Sequence, residues 1–208
     1  MKKCNIRDIF IIFLLIGVIT FISYRVIFFD VLWIDTVVSE FIVDIRCGWL
    51  DFLMKFITSF GNTATIFILL FVVVWLLIKM VGNKKLAVVF LVSLVGNALF
   101  NQLIKLIIRR ERPINSLIEI GGFSFPSGHA MVSMAFYGML IYLFYKLVKN
   151  KKLKIFLSCF FGILILLIGF SRIYLGVHYF SDVVVGFCFS LLYLYLFVVV
   201  IKKFKIFT

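Results

Sequence analysis

LAVVFLVSLVGNALFNQLIKLIIRRERP, residues Leu86 to Pro113, is uncharged from Leu86 to Ile104 and closes on Arg109, Arg110, Glu111, Arg112 and Pro113. About 20 apolar residues are enough for a helix to cross a bilayer. Leu86 to Ile108 meets that requirement, so the stretch reads as a spanning helix with a charged end. Lys105 and Arg112 are seven positions apart, two helical turns, and share a face; Arg109 lies between them on it. Pro113 cannot extend the helix, which ends near Glu111 and Arg112.

Five more segments of this kind lie on either side: roughly Ile9 to Phe29, Thr63 to Met80, Ala130 to Leu147, Ile155 to Phe170 (the shortest) and Phe180 to Ile201. Lys2, Lys3 and Arg7 precede the first, as in a signal peptide, but no small-residue cleavage site follows, and the segment runs on into Arg25 and Asp30. It is expected to be a retained anchor. Between the first and second segments, Asp35, Glu40, Asp44, Asp51 and Lys55 fall near helical spacing, with Gly48 as the break. This predicts one or two amphipathic interfacial helices. The fold class expected is therefore all-α: a polytopic membrane protein of six transmembrane helices, with one or two extracytoplasmic interfacial helices between the first and second. Residues 1–208 are expected to form a single membrane domain.

Composition agrees. The chain is 64% hydrophobic, where soluble domains lie near one half. The net charge of +13 would suit a nucleic-acid binder, but the basic residues sit in short clusters between apolar runs, which membrane topology explains better. With the N-terminus inside, the cytoplasmic segments carry 14 of the 22 basic residues and a single acid, Asp8. Eight basic and eight acidic residues remain for the outer side. Both termini are then cytoplasmic, and segments 30–60, 109–128 and 171–179 lie outside. Cys4, Cys47, Cys159 and Cys188 have no CxxC or zinc-like spacing and read as apolar filler.

That orientation brings three polar clusters to one face: KLIIRRERP (Lys105–Pro113), FPSGHA (Phe125–Ala130) and SRIYLGVHYFSD (Ser171–Asp182). Together they hold both histidines and both prolines of the chain. Ser127 and Gly128 precede a helix whose first N–H groups are unpaired and whose dipole favours an anion. His178 and Asp182 are four apart, so Asp182 can accept from one ring nitrogen and leave the other lone pair directed outward. Lys105, Arg112, Arg172 and the helix start could clamp a phosphate. His178 is suited to be nucleophile or base, and His129 to be acid. These are the parts of phosphoryl transfer by covalent catalysis. No acidic cluster is spaced to hold Mg²⁺, so no metal and no cofactor are expected.

The three blocks resemble the signature of the type 2 phosphatidic acid phosphatase (PAP2) superfamily of integral-membrane lipid phosphatases, K-x6-RP, PSGH and SR-x5-H-x3-D. All eleven positions are present: Lys105, Arg112, Pro113; Pro126, Ser127, Gly128, His129; Ser171, Arg172, His178, Asp182. The resemblance spans about residues 63 to 201. It implies that His178 forms a phosphohistidine, Asp182 orients it, and His129 protonates the leaving oxygen. It also implies that Lys105, Arg112, Ser127, Gly128 and Arg172 hold the phosphate. Arg109 and Arg110 fall outside the motif. The resemblance further implies a bacterial cell-membrane enzyme with an extracytoplasmic site. Its partners would be the bilayer and a lipid phosphate, with no nucleic acid and no obligate protein partner. Undecaprenyl diphosphate is the expected substrate. The alternatives are phosphatidylglycerophosphate, phosphatidic acid and diacylglycerol pyrophosphate, or transfer to an acceptor other than water. A channel or transporter would place polar residues in mid-membrane, and the first and fifth segments have almost none.

Overall fold

A computed structural model of the chain describes residues 6–203. Lys2, Lys3, Cys4 and Lys205 lie outside the described residues. Those residues form eight α-helices and no strand: α1 (Ile6–Phe29), α2 (Trp33–Ile45), α3 (Gly48–Ser59), α4 (Thr63–Lys79), α5 (Lys84–Ile108), α6 (Gly128–Leu147), α7 (Lys151–Tyr174) and α8 (Phe180–Lys203).

The helix starts follow short polar residues. Asn83 Oδ1 accepts from Leu86 N–H, Asn150 Oδ1 from Leu153 N–H, and Ser127 Oγ from Ala130 N–H. The end of α5 is set by Arg109, which adopts a left-handed φ of 53° and donates its N–H to Lys105 O. The helix thus stops at Ile108, short of the expected end near Glu111 and Arg112, and Arg112 reaches the site from the segment that follows, not from a helix face shared with Lys105. α7 is longer than the apolar run of Ile155 to Phe170 suggested. Lysines begin it and Ser171 and Arg172 lie in its last turn, so the polar ends belong to the helix even though they interrupt the hydrophobic pattern.

α6 is the axial helix, packed against α5, α7 and α8. Its buried side includes Met131, Ala135, Phe136, Met139, Leu140 and Leu143, and Phe136 meets Phe90 of α5 edge-on at 5.3 Å. α1 lies outside α8, α4 lies on α5, and α2 and α3 pack near one end of the bundle against α7 and α8. Large apolar side chains such as Phe13, Phe21, Phe67, Phe71, Leu99 and Leu166 are exposed. A water-soluble surface does not carry so much contiguous apolar area, whereas a lipid-facing one does.

Five helices, α1, α5, α6, α7 and α8, are long and apolar enough to cross a membrane. α4 has 17 residues, a rise of about 26 Å against a hydrocarbon core of about 30 Å. It joins α3 at a 44° bend, and the pair taken together would make a sixth span. The 30–60 segment does form two helices, but the break falls at Arg46–Cys47, and Gly48 is the first residue of α3 rather than the breaker. Glu40, Asp44 and Lys55 are exposed, as an amphipathic reading requires. Asp35 departs from it: it is only 1% exposed.

Candidate active site

The three sequence clusters meet at one end of the bundle, where α5 and α7 finish and α6 and α8 begin. His178 stands in the short α7–α8 connection and is 3% exposed. Its Nδ1 lies 3.5 Å from Asp182 Oδ2 and 3.3 Å from Ser124 Oγ. Its Nε2 lies 3.2 Å from an Arg112 guanidinium nitrogen. With the proton on Nδ1, the Nε2 lone pair faces the cation, the arrangement the four-residue spacing suggested. Burial pushes the imidazole down to about 4. Asp182 opposes this shift, while Arg112 and Lys105 add to it.

Asp182 is fully buried and completely satisfied. Oδ2 also accepts from Ser124 Oγ (2.5 Å) and from Tyr179 N–H (2.9 Å), and Oδ1 accepts from Arg110 (2.6 Å). Its backbone carbonyl accepts from Ser127 N–H at 3.0 Å, which ties the start of α8 to the start of α6.

The three cations of the motif line the same space. Lys105 Nζ donates to the carbonyls of Phe123 and Ser124. Arg112 donates to Val177 O (2.7 Å), Gly122 O (3.0 Å), Gly121 O and Phe123 O. Burial, countered in part by Asp182, lowers the Arg112 pKa. Arg172 is 1% exposed and donates to Thr58 Oγ1 at 2.7 Å, while its Nε has no partner among the described residues. A buried guanidinium N–H without an acceptor is costly, and an anion would supply one. His129 sits half-buried, with Nε2 2.8 Å from Asn62 Oδ1. Arg172, His178, Arg112 and Lys105 are all within electrostatic range of its ring.

Lys105, Arg112, Ser127, Gly128, His129, Arg172, His178 and Asp182 are therefore all at this end of the molecule. Two details differ from expectation. Ser127 N–H is already committed to Asp182, so Ser127 has only its hydroxyl proton to offer a ligand, and backbone donation falls to Gly128 and His129, since Ala130 N–H is held by Ser127 Oγ and Met131 N–H by Ser127 O. Arg110, set aside as lying outside the motif, is buried and bonded to Asp182, whereas Arg109 is exposed and turns back to Leu106 O. Thr58, Asn62, Ser124 and Ser181 also escaped the sequence reading. They carry no signal beyond being small polar residues, and only the tertiary contact gives them meaning.

Chemically, the cluster offers an oriented imidazole with a free lone pair, a second imidazole nearby and three cations converging on one space. The fold and the cluster together define an all-helical membrane protein with a basic, histidine-containing site at one end of the bundle. The chain matches the PAP2 superfamily over residues 86–206 and belongs to it. It is 34% identical over 168 residues to phosphatidylglycerophosphatase B of Bacillus subtilis (strain 168), covering 78% of this chain and 80% of that protein. Its fold is similar to the crystal structure of the first transmembrane PAP2 type phosphatidylglycerolphosphate phosphatase from Bacillus subtilis. There the TM-score is 0.85 at 28% identity, over 92% of this chain and 96% of that one. Aquifex aeolicus LpxE shares the fold at a TM-score of 0.60 and 22% identity, over 79% and 92% of the two chains. The protein is a hydrolase acting on phosphate esters, a multi-pass membrane protein of the PAP2 type.

Proposed function

We propose that the protein hydrolyses phosphatidylglycerophosphate at the outer membrane interface through a phosphohistidine on His178. The observation that carries the mechanism is the placement of His178, with Nδ1 against Asp182 and Nε2 3.2 Å from Arg112. Nε2 attacks phosphorus, the P–O ester bond breaks, and His129 gives its proton to the leaving oxygen. A water then attacks the phosphohistidine and loses its proton to His129, and the P–N bond breaks to release phosphate. Lys105, Arg112 and Arg172, with the Ser127 hydroxyl and Gly128 N–H, offset the charge that builds on the phosphoryl oxygens. No metal takes part.

Two observations favour a lipid. A cavity of about 380 Å³ beside His129 runs between α4, α5 and α6 and is lined by Ile66, Phe67, Leu70, Leu91 and Leu94 among others. An acyl chain could lie there while its headgroup reaches the cations. The Bacillus subtilis matches in sequence and in structure are both named for phosphatidylglycerophosphate, and this supports that headgroup above undecaprenyl diphosphate, the substrate expected from sequence. In the same reading the bent α3–α4 pair is the second of six crossings, α2 lies at the interface, and residues 1–208 act as one domain.

The test is phosphate release by purified protein in detergent with EDTA. Phosphatidylglycerophosphate is compared with phosphatidic acid, diacylglycerol pyrophosphate and undecaprenyl diphosphate. Phosphatidylglycerophosphate should be cleaved fastest, vanadate should inhibit, and His178→Ala should be inactive. Faster cleavage of another lipid would overturn the substrate, activity in His178→Ala the nucleophile, and a strict Mg²⁺ requirement the metal-free mechanism.

A further inference from the structure

Arg110 is 3% exposed and bridges two buried carboxylates. One terminal nitrogen donates to Asp182 Oδ1 (2.6 Å) and Ser181 Oγ (2.8 Å). The other donates to Asp35 Oδ2 (2.8 Å) and to the carbonyl of Asp30, and the Tyr179 ring covers the guanidinium at 4.0 Å. Asp35 is fixed in turn: Oδ1 accepts from Ser181 N–H, and Oδ2 from Ser181 Oγ, both at 2.8 Å. Burial works against the Arg110 charge, but Asp182 and Asp35 outweigh it and raise the guanidinium's pKa.

We infer that Arg110 and Asp35 are positioning residues for hydrolysis: Arg110, anchored by Asp35 on α2, clamps one oxygen of Asp182 so that the other holds His178 in its attacking orientation. The inference rests on the reading of His178 as nucleophile. A buried ion pair by itself is weak evidence for stability, since desolvation can cancel the attraction. The geometry is more telling. Asp182 divides its two oxygens between Arg110 on one side and His178, Ser124 and Tyr179 N–H on the other. Rotation of that carboxylate moves both ends together, and Arg110 prevents it. Partners of this kind, one step removed from the reacting group, commonly account for about 10- to 100-fold in activity.

Carrying opposite charges on either side of the Asp182 clamp, the two residues should move His178 in opposite directions when replaced. Its ring lies in electrostatic range of Asp182 from α8, Lys105 from α5, Arg112 from the α5–α6 segment and His129 from α6, with the Ser124 hydroxyl 3.3 Å from Nδ1 and Arg172 of α7 in range of His129. Removing the Arg110 charge leaves Asp182 unshared, which favours the imidazolium. Removing the Asp35 charge deprives the site of an anion, which disfavours it.

The experiment compares wild type, Arg110→Gln, Asp35→Asn, Ser181→Ala and His178→Ala, purified in detergent, with phosphatidylglycerophosphate in micelles. kcat should fall about 10- to 100-fold in the two charge variants, with KM within about threefold. The acid limb of kcat/KM should move up in Arg110→Gln and down in Asp35→Asn, each by about 0.5 unit or more. If both charge variants fail to fold, Ser181→Ala, which removes one hydrogen bond from each partner without altering charge, should still lower kcat several-fold at unchanged KM. An inactive His178→Ala beside fully active folded variants would overturn this inference alone. So would an acid limb that does not move, or losses that follow unfolding temperature only. An active His178→Ala would overturn the nucleophile and the inference with it.

Discussion

His178 combines a buried position with a carboxylate neighbour, and burial wins: the ring is pushed down to about 4 from an ordinary value near 6.5. The folded protein therefore holds it neutral, with its lone pair available, across the whole neutral range. The acid limb of kcat/KM should lie near pH 4 rather than 6.5, and a limb at 6.5 would place a less buried group in control. The same shift acts on stability. Between pH 6.5 and 4 the unfolded chain binds a proton that the folded site refuses, so stability is lost as pH falls through that window and levels off below it. The loss is up to about 3 kcal/mol. Unfolding in detergent should show wild type losing more stability than His178→Gln from pH 7 to pH 4.5, and equal losses would mean that the folded ring titrates normally. Nearby, Gly176 has φ +68°, and a Cβ there would come 2.5 Å from Asn115 O. Gly176→Ala should lower the unfolding temperature, because a side chain at positive φ costs about 1 to 2 kcal/mol and its Cβ would also collide with the Asn115 carbonyl.

At the scale of elements, the joint between α3 and α4 carries chemistry that its sequence does not advertise. Asn62 Oδ1 holds His129 Nε2 at 2.8 Å, and one position before it a Cβ on Gly61 would lie 2.9 Å from His129 Cδ2 and 2.7 Å from Ile168 Cγ2. Gly61→Ala should therefore displace His129, the proton donor proposed above. A misplacement of about 1 Å can cost about 100-fold in rate, so a fall in kcat of about 10- to 100-fold is expected, with a much smaller change in unfolding temperature. Unchanged kcat would show that His129 tolerates the shift. What could be read in advance at this scale was the set of long helices, because an apolar run of about 20 residues has few alternative fates. The three motif blocks were equally legible, because their spacing is local. Arg110 and Asp35 were not. Asp35 lies five and nine positions before Glu40 and Asp44, on the opposite face of α2, but a single carboxylate in a first turn reads as a helix-start charge, and nothing in the spacing tells that α8 packs over it. Arg110 sits between two other arginines, and only the turn at Arg109, whose φ is positive, sends one side chain outward and the next inward.

For the whole molecule, the bundle has two unlike ends. α1 finishes at the site end, where Arg110 bonds the Asp30 carbonyl, and α8 begins there with Asp182. The described chain therefore starts and stops at the opposite end. Lys79, Lys84, Lys85, Lys146, Lys151 and Lys152 also belong to that far end, since they close α4 and α6 or open α5 and α7. Cytoplasmic loops are the basic ones, so the far end should face the cytoplasm and the site the exterior. Surface labelling measures this directly. In a variant with Cys4, Cys47, Cys159 and Cys188 replaced by Ser, one cysteine is added at exposed Glu119, in the α5–α6 segment, or at exposed Asn150, between α6 and α7. A membrane-impermeant maleimide applied to intact protoplasts should label Glu119→Cys at once and Asn150→Cys only after permeabilisation. Phosphatase activity retained in the cysteine-free background shows that the fold is intact. The reverse labelling would turn the molecule over and put phosphate release in the cytoplasm. The lysine-rich end would then face outward, against the charge rule, and a substrate delivered from the inner leaflet would have to replace the outer one.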